Sequence, residues 1–262
     1  MLDKIDLERK LSHDTYDKVL PGLQRRLYDL EKACWDNKIA SIVVFEGWDA
    51  AGKGSCISTL TARLDPRGFK VHDIQAPRPS ERMRPWLWRF WERMPNYGEM
   101  AIFEGSWYGR VLSERVEGLT PEKEWRRAYK DIAEFERMLA GDGAAIVKFW
   151  LHIGKKEQKQ RYKDLEKDPL ESWRVAPADW ERHKHYGDYL AAAEAMFEKT
   201  EAKHAPWTVV AATSKWYARR KIFDTMIAAL ERRLGPLTPP QRQDKNKDDA
   251  ELRHAMAAVE KS

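Results

Sequence analysis

Residues 40–58 read ASIVVFEGWDAAGKGSCIS. The run over 40–47 is apolar at nearly every position and ends in Gly47. Continuous rather than alternating apolarity fits a parallel strand covered on both faces. Parallel strands are joined by long crossovers, usually helices, so this segment commits the chain to an α/β architecture. The turn that follows has its own chemistry. Gly47, Gly52 and Lys53 stand in the G-x-x-x-x-G-K spacing of a phosphate-binding loop. Such a loop aims backbone N–H groups at phosphate oxygens, the next helix adds partial positive charge, and the lysine adds a full one. Gly47, Ala50, Ala51, Gly52, Lys53, Gly54 and Ser55 are therefore candidate phosphate- or nucleotide-binding residues. A Ser or Thr that helps hold magnesium usually follows the lysine. Gly54 stands there instead, which leaves Ser55 at most an indirect role. Asp49 lies inside the cradle. An acid there repels phosphate unless it holds magnesium or takes a proton from an attacking oxygen, so Asp49 is a candidate catalytic and metal-binding residue.

The rest of the chain keeps the same alternation. Residues 5–37 have helical periodicity, with Pro21-Gly22 expected to divide them into two helices. A helix is expected over 54–64, a strand over 69–76 and mostly helix over 79–94. A strand over 98–105 ends in IFEGSWYGR, which reads as delivering Glu104 and an exposed Trp107–Tyr108 pair to a site. A helix over 120–140 follows, with Thr120 as its N-cap and Pro121 at its first position. Beyond it come a strand over 144–153, a charged helix over 155–167, an irregular stretch and a helix over 179–201. A strand over 207–213 and a helix over 215–234 complete the pattern. Five strands alternating with helices predict a three-layer α/β fold: a five-stranded parallel sheet with helices on both faces. Residues 1–235 form one expected domain, and 236–262 a charged C-terminal tail.

Composition narrows the class. The 262 residues are 42% hydrophobic and 34% charged, which suits a soluble globular chain. No apolar run approaches the ~20 residues that span a bilayer, and the first residues lack the apolar block of a signal peptide. Two cysteines are too few for a disulfide framework, so the cytoplasm is the expected compartment. The net charge of +5 suits a polyanionic partner, although no nucleic-acid reading module is present and no specific nucleic-acid partner is expected. Arg78, Arg82, Arg84, Arg89 and Arg93 concentrate five positive charges in one segment, which suits either a polyanion or a solvated helix face. His183 and His185 flank Lys184 and read as a solvated helix face.

GWDAAGKG, then APRPSE at 76–81, PNYG at 95–98, SWY at 106–108 after an acid, and DPLESWRV with DW over 168–180 together resemble the polyphosphate kinase 2 family. The similarity covers about residues 10–234, and the details after SWY look most like its polyphosphate:AMP phosphotransferase branch. The resemblance implies a P-loop kinase-like fold with a helical lid at about 155–180. It implies transfer of a phosphoryl group between inorganic polyphosphate and AMP or ADP (or GDP), with Mg2+ as cofactor. Polyphosphate and the nucleotides AMP, ADP and ATP would be partners, and a homo-oligomer is the usual assembly. Lys53 would clamp phosphates. Asp49 and Glu104 would hold the metal. Arg174, with Arg161 and Lys163 near it, would close over the transferring group. Arg78 and Arg82 would face the phosphate chain, and Glu81 would steady a neighbouring arginine.

Where the family usually reads Asp-Arg, this chain has Glu104-Gly105. The carboxylate reaches one methylene further and a guanidinium is absent, with Arg110 a candidate replacement. Two alternatives stay open. One is a degenerate member that binds polyphosphate or nucleotide as a regulatory or structural protein. The other is an ATP-dependent nucleoside monophosphate kinase.

Overall fold

A computed structural model describes residues 2–235, so the tail expected over 236–262 lies outside the described residues. Five strands form one sheet: β1 Ser41–Gly47, β2 Phe69–Asp73, β3 Met100–Glu104, β4 Ala145–His152 and β5 Trp207–Ala211. Their order is β2-β3-β1-β4-β5 and every pairing is parallel. The central strands β1, β3 and β4 are buried along almost their whole length, as their unbroken apolar runs require. β2 is an edge strand and largely solvent-facing.

The helices are α1 His13–Asp36, α2 Lys53–Thr61, α3 Pro79–Arg82, α4 Trp88–Trp91, α5 Ser113–Val116, α6 Glu122–Gly141, α7 Lys155–Lys167, α8 Pro177–Lys184, α9 Tyr186–Thr200 and α10 Lys215–Leu234. α10 packs with α1 and α2, whereas α6 packs with α9. All three strand ends that carry chemistry, at Gly47, Glu104 and His152, point to the same edge of the sheet, because the strands are parallel. Ligands bind in α/β sheets at that carboxyl edge, where the strand order reverses.

Four local expectations change. Residues 13–36 form one helix with Pro21 inside it. Pro21 and Gly22 face solvent, so the carbonyl that the proline leaves unpaired can be hydrated, while Leu27 and Leu30 hold the next turns in the core. The 79–94 stretch is only two short helices, interrupted at Pro85. Thr120 does not cap α6: its hydroxyl donates to Glu114 at 2.6 Å and accepts from Arg110 at 3.0 Å. The long helix expected over 179–201 breaks at His185, where the chain redirects Tyr186 onto the phosphate loop.

The aromatic pair is also placed differently. Trp107 and Tyr108 are fully buried rather than exposed. Lys148, fully buried in the middle of β4, donates to Glu136 of α6 at 2.7 Å and to the Tyr108 hydroxyl at 2.8 Å. The Tyr108 hydroxyl and the Trp107 indole N–H both donate to the other Glu136 oxygen, at 2.7 and 3.0 Å. A buried charge pair is tolerable only when its remaining polar atoms are also bonded, and here they are. SWY therefore fixes the turn after β3 to β4 and α6 rather than presenting rings to a ligand.

Candidate active site

The phosphate loop leaves β1 at Gly47, whose φ is +130°. A Cβ on residue 47 would stand 2.4 Å from the Leu151 carbonyl oxygen, so only glycine allows β1 to run this close to β4. Ala50 and Gly52 also have positive φ, at 59° and 94°, which curls the backbone toward the start of α2. The Lys53 ammonium folds back onto the carbonyls of Gly47 and Trp48 at 3.2 and 3.1 Å. Trp48 pins the loop from below. Its indole stacks on Tyr186, 3.8 Å between ring centroids, and donates to His152 Nδ1 at 2.9 Å. Trp150 donates to the same nitrogen at 3.4 Å. Two donors on one ring nitrogen require neutral imidazole, and burial pushes the His152 pKa down to about 4.

Glu46, the residue before the loop, is buried and accepts from Ser106 at 2.8 Å. Its burial raises the carboxyl pKa to about 7.

Above the loop, a cavity of about 510 Å3 is lined by Asp49, Lys53, Glu104, Arg174 and Asp179, among others. Asp49 of the loop, Lys53 of α2, Glu104 of β3 and Arg174 of the segment between α7 and α8 thus converge. Glu104 sits where β3 ends. Burial raises its pKa, opposed by the charges of Lys53 and Arg174 and by a hydrogen bond from the Gly54 N–H. A Cβ on residue 54 would stand 3.2 Å from Glu104 Oε2. The longer acid therefore extends into the room that a side chain at 54 would need. Gly54 and Glu104 are one packing arrangement rather than two separate departures. Ser55 turns aside and accepts from Arg219 at 2.6 Å. Gly105 has φ +70°, a conformation that an arginine adopts only with strain.

The fit to Mg2+ is one of donor chemistry. Mg2+ commonly takes one or two carboxylates and completes its shell with water and substrate phosphates. Asp49 and Glu104 supply two carboxylates in one cavity beside Lys53. Among the described residues no group of three or more His, Cys, Asp or Glu is poised to hold a metal by itself.

The segment expected as a lid, α7 and α8 with the irregular stretch between them, is tied to the loop by three side chains. Arg161 donates to the carbonyls of Ala50, Ala212 and Thr213 at 2.8–3.0 Å and to Glu157 at 2.7 Å. It joins the loop to the end of β5 and also lines the cavity. Gln158 donates to the Asp49 carbonyl at 3.2 Å and pairs with His183 Nδ1 at 2.8 Å. His183 is consequently buried, not on a solvated face. Arg182 donates through Nε to the Asp49 carboxylate at 2.8 Å and through Nη2 to Asp179. Sequence reasoning missed Gln158, Arg182 and His183, and no local pattern marks them. Arg174 pairs with Glu171 at 2.5 Å and lines the cavity.

Other predicted residues stand elsewhere. Lys163 is exposed on α7 and does not line the cavity. Arg110 is held by Thr120 and Glu114, lies over the Trp86 ring and does not line the cavity. Arg78 and Arg82 lie outside the cavity. Arg78, Arg89 and Arg93 all pair with buried Glu81, and Arg82 donates to the Pro77 carbonyl. In the same segment, Trp86 donates to Asp131 of α6 at 3.3 Å and Trp91 meets Phe135 of that helix edge-on.

A parallel sheet in this order, with a glycine loop after β1, a lysine at the next helix and an acid at the end of β3, defines a P-loop α/β protein of the phosphoryl-transfer type. The chain belongs to the polyphosphate kinase 2 family, whose description matches residues 10–236. It is 42% identical over 232 residues to the polyphosphate:AMP phosphotransferase of Pseudomonas syringae pv. tomato, covering 88% of this chain and 47% of that protein. It is 34% identical over 250 residues to the ADP-polyphosphate phosphotransferase of Pseudomonas aeruginosa, covering 95% and 80%. The crystal structure of polyphosphate kinase 2 from Arthrobacter aurescens superposes with a TM-score of 0.90 at 30% identity, covering 97% of this chain and 93% of that one. The chain spans about half the length of the polyphosphate:AMP phosphotransferases it matches.

Proposed function

We propose that this protein transfers a phosphoryl group between inorganic polyphosphate and AMP or ADP (or GDP), with Mg2+ as cofactor. The observation that carries the reading is the convergence of Asp49, Lys53, Glu104 and Arg174 on one cavity at the N-terminus of α2. Phosphoryl transfer asks a protein to align donor and acceptor oxygens and to offset the charge on the moving group. The loop N–H groups and the α2 N-terminus hold the donor's terminal phosphates. Lys53 exchanges its two carbonyl partners for phosphate oxygens. Arg174, from the segment between α7 and α8, neutralises the transferring group from the opposite side. Asp49 and Glu104 would hold Mg2+, which would supply charge neutralisation for the phosphate oxygens. Asp49 also lies where it can orient the acceptor. Walls built from α7 and α8 keep water from the phosphoryl group.

Related proteins named as phosphotransferases for AMP, ADP and GDP support the substrate class without fixing which nucleotide this chain prefers. Two free, buried cysteines and a substrate pool of nucleotides suit the cytoplasm, and no described helix is long and apolar enough to cross a membrane. The test is to supply long-chain polyphosphate, Mg2+ and AMP or ADP, and to follow nucleotide products. New ADP or ATP is expected. Polyphosphate binding without product would make this a non-catalytic binding member of the family, and turnover with ATP as the sole donor would make it an ordinary monophosphate kinase.

A further inference from the structure

Two side chains of α7 are buried, Gln158 and Tyr162, one turn apart on the same face. Gln158 donates to the Asp49 carbonyl, so this face of α7 is the one turned toward the phosphate loop. Tyr162 is only 2% exposed, yet it lines the cavity that holds Asp49, Lys53, Glu104 and Arg174. Its ring meets those of Trp180 and His183 edge-on, with centroids 5.2 and 6.1 Å away. These contacts, both from α8, hold the ring in place.

The Tyr162 hydroxyl is buried with no hydrogen-bond partner among the described residues. Elsewhere the chain satisfies such groups. The hydroxyls of Tyr108, Tyr186 and Tyr189 donate to Glu136, to the Ile153 carbonyl and to Glu117, and that of Tyr129 accepts from Arg115. Tyr16 has a second unpartnered hydroxyl but does not line this cavity. A buried hydroxyl left unpaired destabilises a fold, and a phenylalanine would pack the same ring without it. Burial, with the charges of Asp49 and Asp179, raises the Tyr162 pKa, so the group stays a neutral donor. Both of those carboxylates are engaged by Arg182 instead. The wall of the cavity thus carries a fixed donor that no protein group accepts from.

We propose that the Tyr162 hydroxyl is a further substrate-contacting group, donating to a phosphate oxygen of the ligand bound beside Asp49. The proposal rests on the polyphosphate and nucleotide reading above. Its ligand class is a phosphate group, carried either by the polyphosphate donor or by the nucleotide acceptor. A donor fixed before the ligand arrives loses little freedom on binding, and a hydrogen bond to an anion is stronger than one between neutral groups. One oxygen atom then has effects of opposite sign. It is unfavourable for the protein alone and favourable for the complex.

Tyr162→Phe removes that atom and keeps the ring. The test is thermal melting of the whole protein without ligand, together with calorimetric titration by short-chain polyphosphate and, separately, by AMP, each with Mg2+. The variant is expected to melt at the wild-type temperature or up to about 4 °C above it. It is expected to bind polyphosphate, AMP or both about tenfold more weakly. Weakening confined to polyphosphate places the contact on the donor, and weakening confined to AMP places it on the acceptor. Unchanged affinity for both ligands would overturn the proposal. A lower melting temperature would make the hydroxyl a structural group and overturn it whatever the affinities. Wild type that binds neither ligand would overturn the functional reading itself, and the proposal with it.

Discussion

At the residue scale, the site turns on what each carboxylate is bonded to. Asp49 is held by Arg182, and the pair is about one-third exposed on each side, at 34% and 40%. A partly exposed pair of this kind is worth about 0.5–1 kcal/mol. Arg182 competes with any cation for the Asp49 carboxylate, so Arg182→Ala is expected to bind Mn2+ about two- to fivefold more tightly, read by electron paramagnetic resonance. Weaker or unchanged Mn2+ binding would mean that Arg182 does not oppose the metal. Glu46 offers a second handle. Its ordinary carboxyl pKa of 4.5 rises to about 7 in the folded protein. The folded state thus holds a proton that the unfolded state has released between these values, and stability falls as pH rises through that window. Glu46→Gln keeps an acceptor for Ser106 and removes the titration. The stability gap between variant and wild type should widen from pH 5 to pH 8, by on the order of 3 kcal/mol. A constant gap in thermal melts would contradict the assignment. Gly105, by contrast, argues against a simple restoration of the family's arginine: its positive φ adds about 1–2 kcal/mol of backbone cost to any replacement.

At the scale of elements, the sequence was most legible where a pattern is local and repeated. All five strands fall within a few residues of their apolar runs, and the expected helices at 155–167 and 215–234 have those same bounds. The loop lysine and glycines were read from their fixed spacing, Asp49 from its place inside the loop, Glu104 from its place at a strand end, and Arg174 from the family resemblance alone. What escaped depends on partners far away in the chain. Arg182 meets Asp49 across 133 positions, and Gln158 meets it across 109. Trp107 and Tyr108 looked like site residues because they follow the acid, yet they serve Glu136 and Lys148 in the core. That network makes a stability prediction. Lys148→Met leaves Glu136 buried without its cation, which typically costs about 3–5 kcal/mol. The double variant Lys148→Met with Glu136→Leu is expected to recover most of the loss in urea melts. Equal losses in single and double variants would show that the pair is not coupled.

At the scale of the whole molecule, the fold explains why charge is distributed as it is. A net charge of +5 says little alone. The sheet's carboxyl edge gives it meaning by gathering Asp49, Lys53, Glu104 and Arg174 around one cavity. Much of the arginine-rich segment that drew attention in the sequence is spent on Glu81. The chain spans about half of the polyphosphate:AMP phosphotransferases it matches and 80% of the matched ADP-polyphosphate phosphotransferase. The most direct measurement is phosphorus NMR of polyphosphate, Mg2+ and AMP mixed with wild type or with Lys53→Ala. The account predicts nucleotide phosphoanhydride forming in step with loss of polyphosphate in wild type, slowed by at least about 10²-fold in the variant. Equal rates in the two proteins, or nucleotide product without loss of polyphosphate, would contradict it.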